Sequence, residues 1–169
     1  FCMKLRNLFE FFGFKGKPQH YSYDIVEFDL KDFGVVRYAQ WKHPAESRKI
    51  LTSELVEKYK TYVSEGDFCV DIGAHSGDTA LPMGLAAGQT GCVLALEPNP
   101  YVYHVLEKTA RANSHLANVI PMMAAAGKKN GFMEFEYSDS GFCNGGRHEN
   151  MSFLDHGHAY RQKDFSIDL

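Results

Sequence analysis

The spacing of apolar positions changes along the chain, and each change marks an element. Between Tyr21 and Ala45 apolar and polar residues alternate, with Val26, Phe28 and Leu30 on one face and Ile25, Glu27 and Asp29 on the other. That period suits a half-buried strand. A turn at Lys31-Asp32-Phe33-Gly34 and the run Val35-Val36-Arg37-Tyr38-Ala39 complete a hairpin, ended by Trp41 and His43. The Trp–His pair can stack on a substrate, but such pairs more often close an apolar edge. A helical period follows. Thr52 or Ser53 caps it, Leu55, Val56, Tyr59, Tyr62 and Val63 share a face, Glu54 and Lys58 form an i,i+4 pair, and Gly66 ends it.

Three short apolar runs come next: Phe68 to Val70, Gly91 to Leu96, and Asn118-Val119-Ile120. Between them lie two helical stretches, one with Leu81, Met83, Leu85 and Ala86 before Gly88, the other opening at Pro100 with Val102, Val105, Leu106 and Ala110. Strand and helix in alternation predict an α/β fold, a Rossmann-like parallel sheet wound right-handedly and flanked by helices. Phe132 to Tyr137 alternates as a further, half-exposed strand, whereas the polar, histidine-rich chain after Gly146 predicts no element.

The chemistry concentrates where the first run ends. Val70-Asp71-Ile72-Gly73-Ala74-His75-Ser76-Gly77-Asp78-Thr79 leads a strand through an acid and two glycines into a helix. Gly73 can take backbone angles closed to other residues, Gly77 lets the chain approach a ligand, and the next helix points its free N–H groups at the same spot. The spacing is Gly-x-x-x-Gly, not the G-x-G-x-x-G of a dinucleotide site. The second strand ends in Glu97-Pro98-Asn99-Pro100, an acid about 20 residues beyond the glycines, where such folds hold a ribose diol. A carboxylate can accept from both ribose hydroxyls. Asp71, Gly73, Gly77 and Glu97 are therefore expected to line one crevice.

Gly66-Asp67, the glycine-loop run above and Leu96-Glu97-Pro98-Asn99 together resemble the FkbM-type family of S-adenosylmethionine-dependent methyltransferases. Val105-Leu106 to Asn113, Asn118-Val119-Ile120 to Ala124-Ala125-Ala126-Gly127, and Asp139 to Gly146 are similar to later parts of the same family, so the resemblance covers about residues 51 to 146. It implies a class I methyltransferase fold, S-adenosyl-L-methionine as cofactor, and a sugar, polyketide or related small-molecule or glycan hydroxyl as acceptor. It further implies that Asp71, Gly73 and the backbone near His75 and Gly77 face the methionine part, with Ala74, Asp78 and Thr79 also among the cofactor-binding residues. Glu97 would hold the ribose, with Pro98 and Asn99 shaping the nucleoside wall. Met123 departs from it, standing where relatives often place a polar residue near the adenine. The family's fourth strand, with its Asp-x-Glu-Gly-type end, has no counterpart, and Phe165 to Leu169 resembles the segment that precedes it. Residues 51–169 are thus expected to be the first part of a methyltransferase domain, after an amphipathic segment 1–19 and a lead-in hairpin 20–50. Without the fourth strand, the edge of the strand at Phe68–Asp71 is expected to be open to pairing, self-association or cover by another segment.

Composition adds less. The net charge of −3 offers no basic face and predicts no nucleic-acid partner. Four cysteines, none in a C-x-x-C pair, predict neither zinc nor a disulfide framework and suit a cytoplasmic setting. His148, His156 and His158 are read as loop histidines rather than metal ligands. His75 titrates near working pH and is a candidate base, but the loop position argues against it, so no catalytic residue is assigned. In residues 3–14, Leu5, Leu8, Phe9 and Phe12 share a helical face beside Lys4 and Arg6, which suits packing on protein or peripheral membrane contact. Two other functions stay open, a nicotinamide-dependent oxidoreductase and a non-catalytic Rossmann-like binding module.

Overall fold

A computed structural model describes residues 20–128, 130–138 and 159–168. The amphipathic segment, the loop from Asp139 to Gly146 and His148, His156 and His158 lie outside these. The architecture is the expected α/β one, with a parallel sheet preceded by a β-hairpin.

Strands β1 (Tyr23–Asp29) and β2 (Val35–Trp41) pair antiparallel from Tyr23↔Trp41 to Asp29↔Val35. A 3-10 turn, Lys31–Phe33, joins them, and Gly34 leaves it at φ +83°, a left-handed angle that favours glycine. Helix α1 (Ser53–Lys60) is capped by Thr52, whose side chain accepts from the Leu55 N–H. Its ion pair is Glu57–Lys60 rather than Glu54–Lys58, and Tyr62, beyond its end, is exposed instead of sharing the buried face. Strand β3 (Phe68–Ile72), helix α2 (Ala80–Ala87), strand β4 (Cys92–Leu96), helix α3 (Pro100–Ala112) and strand β5 (Val119–Met122) then follow. The three strands form one parallel sheet in the order β3-β4-β5.

A second sheet, β6-β8-β7, comprises β6 (Ala125–Gly127), β7 (Gly131–Ser138) and β8 (Ala159–Asp168). The polar tail predicted no element, yet β8 pairs antiparallel with β7 and parallel with β6. Its sequence carries no strand period, and the backbone pairing is supplied by partners distant along the chain.

The hairpin is part of the core. On one face of β2, Val36 and Tyr38 pack with Leu30, Val56, Leu81 and Leu85; on the other, Ala39 and Trp41 pack with Val102 and Val105 of α3. Helix α3 also completes the free edge of β2. The Asn113 side chain accepts from the Arg37 N–H at 2.9 Å and donates to the Arg37 carbonyl at 2.7 Å, while the Thr109 hydroxyl accepts from the Ala39 N–H at 3.1 Å. A strand edge that would otherwise need a neighbour is closed by helix side chains.

Helices α2 and α3 both pack on the sheet face of Val93 and Ala95, where Ala80 and Leu106 meet them. On the opposite face Phe68, Val70, Ile72, Ile120 and Met122 are exposed, so β3 is only half buried. Among the described residues β3 is an edge strand, and β8 joins the other sheet. No helix of the described residues is long and apolar enough to cross a membrane.

Asn113 is buried and ties the hairpin to α3 at two backbone groups. Asn113→Ala strands both of them, so urea unfolding is expected to show a loss of about 1–3 kcal/mol.

Candidate functional site

The C-terminal ends of β3 and β4 lie side by side, with Asp71 opposite Ala95 and Ile72 opposite Leu96. Asp71 is on the face that α2 and α3 cover and is 8% exposed. Its Oδ2 is buried and has no hydrogen-bond partner within the protein. Burial first, and then the charge of Asp78, raise its pKa from the ordinary 3.8 to about 6.

The loop after Asp71 turns on two left-handed glycines, Gly73 at φ +80° and Gly77 at φ +94°. They do different things. A Cβ at Gly73 would meet no atom within 4 Å, so this glycine borders open space. A Cβ at Gly77 would come within 3.1 Å of Leu106 and 3.3 Å of Thr109. Gly77 therefore lets the loop settle on α3 rather than on a ligand.

Four N–H groups of the loop are engaged within the protein. Those of Gly73 and Ala74 both donate to the Leu96 carbonyl at 2.9 Å, and that of Gly77 to the Ala74 carbonyl at 2.8 Å. The His75 N–H donates to Glu97 Oε2 at 2.8 Å. The expectation that the backbone near His75 and Gly77 faces a ligand is thus corrected for these N–H groups: strand pairing and Glu97 use them. Ala74 is buried in the apolar cluster with Leu106. Thr79 precedes α2 without capping it through its side chain.

Glu97 is 4% exposed and points into the loop, its other oxygen accepting from the Asn99 N–H at 2.8 Å. It braces the ends of two strands, a role invisible in the sequence. Asn99 is buried and caps α3 by accepting from the Tyr101 N–H, while Pro98 between them is half-buried.

Sequence reasoning missed the lead-in segment. Lys49 Nζ lies 2.9 Å from Asp78 Oδ2 and 3.5 Å from Glu46 Oε1. Burial alone would lower the Lys49 amine, but these two carboxylates outweigh it and hold its pKa above the ordinary value. Burial pushes the Glu46 carboxyl up. The His75 ring sits edge-on to Trp41, its Nδ1 is 3.0 Å from Ser76 Oγ, and its Nε2 is 3.6 Å from Glu46 Oε2. Ser76 in turn hydrogen-bonds the Tyr38 hydroxyl, whose pKa burial pushes well up. Burial lowers His75 to about 4, so the ring is neutral at pH 7 and is held between protein groups, a poor arrangement for a free base. His75 also adopts φ +50°, uncommon outside glycine and uncommon enough to need this packing. These contacts pair side chains about 30 residues apart, and no local pattern signals them.

No protein-family model and no curated protein matches the sequence. Similar solved structures include the complex of aTrm5 with tRNALeu, at 20% identity over 64% of this chain and 33% of that one, TM-score 0.43. Methanocaldococcus jannaschii Trm5 with adenosine is 19% identical over 62% of this chain and 34% of that one, TM-score 0.42. An S-adenosylmethionine-dependent O-methyltransferase from Thermotoga maritima is 15% identical over 79% and 60%, TM-score 0.39. The chain spans about a third of the length of the first two. The expectation of no nucleic-acid partner is withdrawn, because aTrm5 is seen bound to tRNALeu. Net charge averages over a whole surface and does not exclude a local nucleic-acid contact.

The raised Asp71 pKa has a consequence for stability. The folded-state value of about 6 stands above the ordinary 3.8, so folding favours the protonated form and stability falls as pH rises between these values. Asp71→Asn is expected to abolish that fall and to unfold later than the parent at about pH 7.5, by an amount on the order of 2 kcal/mol. Thermal unfolding across pH checks both signs.

Proposed function

We propose that this chain carries the cofactor site of an S-adenosylmethionine-dependent methyltransferase, acting on a hydroxyl of a sugar, polyketide or related metabolite. The observation that carries the proposal is the buried Asp71 Oδ2 without a partner, beside a glycine loop in which four backbone donors are in use. A dinucleotide brings a pyrophosphate, which needs free N–H groups and tolerates no cluster of carboxylates. Gly73, Ala74, His75 and Gly77 offer it no free N–H, and Asp71, Asp78, Glu46 and Glu97 would repel it. A cofactor with an ammonium group, a sulfonium and a ribose suits the same residues: the cations meet Asp71 and its neighbours, and the diol meets Glu97. A nicotinamide site is disfavoured by that chemistry. A merely structural module is disfavoured by the cost of keeping a buried, unpaired carboxylate, which selection for stability alone would remove.

When bound, such a cofactor supplies a methyl group already activated by positive sulfur. The carbon–sulfur bond breaks with its electron pair staying on sulfur, a carbon–oxygen bond forms, and the acceptor hydroxyl loses its proton. The part assigned to these residues is alignment, which can lower a barrier by up to about 7–11 kcal/mol in well-oriented systems.

Isothermal calorimetry is expected to show S-adenosylhomocysteine binding, with no change in NADH fluorescence on titration. Glu97→Ala should weaken the former by about 1–3 kcal/mol, the worth of hydrogen bonds to a charged group. Binding of NADH in its place would overturn the assignment. Methyl transfer to a panel of hydroxylated metabolites, with tRNA alongside, tests the acceptor.

A further inference from the structure

Resting on that cofactor reading, we propose that Lys49 receives the carboxylate of the cofactor's methionine end while Asp71 receives its ammonium group. The lead-in segment 42–51 then forms one wall of the site. The N–H groups of Gly73, Ala74, His75 and Gly77 are all taken and offer nothing to an anion. An amino-acid end carries both charges, so its carboxylate calls for a donor beyond these four.

Lys49 is placed to be that donor. Its ammonium is 2.9 Å from Asp78, the residue after Gly77. The lysine is thus held at the far end of the loop that opens at the unpartnered, nine-tenths buried Asp71. Glu46, with a side chain 5% exposed, holds Lys49 from the other side at 3.5 Å and faces His75 at 3.6 Å. A lysine between two carboxylates keeps its charge, and three donors on a flexible stem let it keep Asp78 while turning one donor to a ligand. Asp71, Asp78 and Glu46 against Lys49 leave the cluster anionic, which complements a cofactor bearing two positive groups and one negative one.

The test compares ligands on the full chain by calorimetry. S-adenosylhomocysteine is set against its decarboxylated analogue, which keeps the amine, and against 5′-methylthioadenosine, which lacks the amino-acid end. Lys49→Met is expected to lower affinity for S-adenosylhomocysteine about 10- to 100-fold, the equivalent of a lost charge-assisted hydrogen bond, and to leave the decarboxylated analogue unchanged. Lys49→Arg, which keeps the charge and the pairing with Asp78, should retain the preference for the carboxylate. Equal losses for both amine-bearing ligands would mean that Lys49 only supports the fold, and would overturn the assignment. So would an unchanged affinity in Lys49→Met. If the parent binds 5′-methylthioadenosine and S-adenosylhomocysteine equally, the amino-acid end has no site here, yet the nucleoside pocket stands. If the parent binds none of the three, the cofactor reading itself fails.

Discussion

Glu97 is the interaction on which the rest of the site depends. One carboxylate takes the N–H of His75 from the glycine loop and the N–H of Asn99 from the start of α3. It therefore joins the exit of β3, the exit of β4 and the cap of a helix in a single buried group. With Gly73 and Ala74 also bonded to Leu96, the loop is held on the second strand rather than left open. With the N–H groups of Gly73, Ala74, His75 and Gly77 engaged, side chains weigh more in what the loop can bind. Asp71 and Lys49 become the groups that matter, one without a partner and one shared.

The hairpin has a larger part than a lead-in suggests. Strand β2 packs through Val36 and Tyr38 on one face and Ala39 and Trp41 on the other, is closed along its edge by Thr109 and Asn113, and sends Tyr38 to Ser76. The segment beyond it brings Glu46 and Lys49 over the loop. Because α3 packs against β2 and against the sheet, the hairpin and the glycine loop share a support. Displacing either would disturb the other, which gives the segment before the parallel sheet a direct influence on the crevice.

Stability and binding oppose each other at Asp71. A carboxyl whose pKa stands near 6 is held at a cost in the folded protein at neutral pH, and its Oδ2 gains no bond in return. Such a group is tolerated where a ligand cation repays it. The exposed apolar face of β3 and β5 is a different matter: both packing helices lie on the other side of the sheet, and those side chains meet none of the three described core clusters.

Much of this was legible in the residues themselves. The hairpin, the α/β alternation and the position of Asp71, Gly73 and Glu97 at neighbouring strand ends follow from periodicity and from glycine spacing, because those features act over a few residues along the chain. The face that β3 leaves exposed, the pairing of β8 and the exposure of Tyr62 did not, since burial depends on which elements happen to cover a surface. Glycine identity likewise told of backbone angles at Gly73 and Gly77, but only packing distinguished the one that borders open space from the one pressed on Leu106. Lys49 and Glu46 were silent for the same reason. A lysine and a glutamate in a polar loop look solvated until the chain folds back and sets them 2.9 Å from Asp78 and 3.6 Å from His75. Local sequence determined which elements form and which chemistry the loop could carry; tertiary structure decided which donors remain free, because a hydrogen bond spent between distant segments leaves no mark in either one.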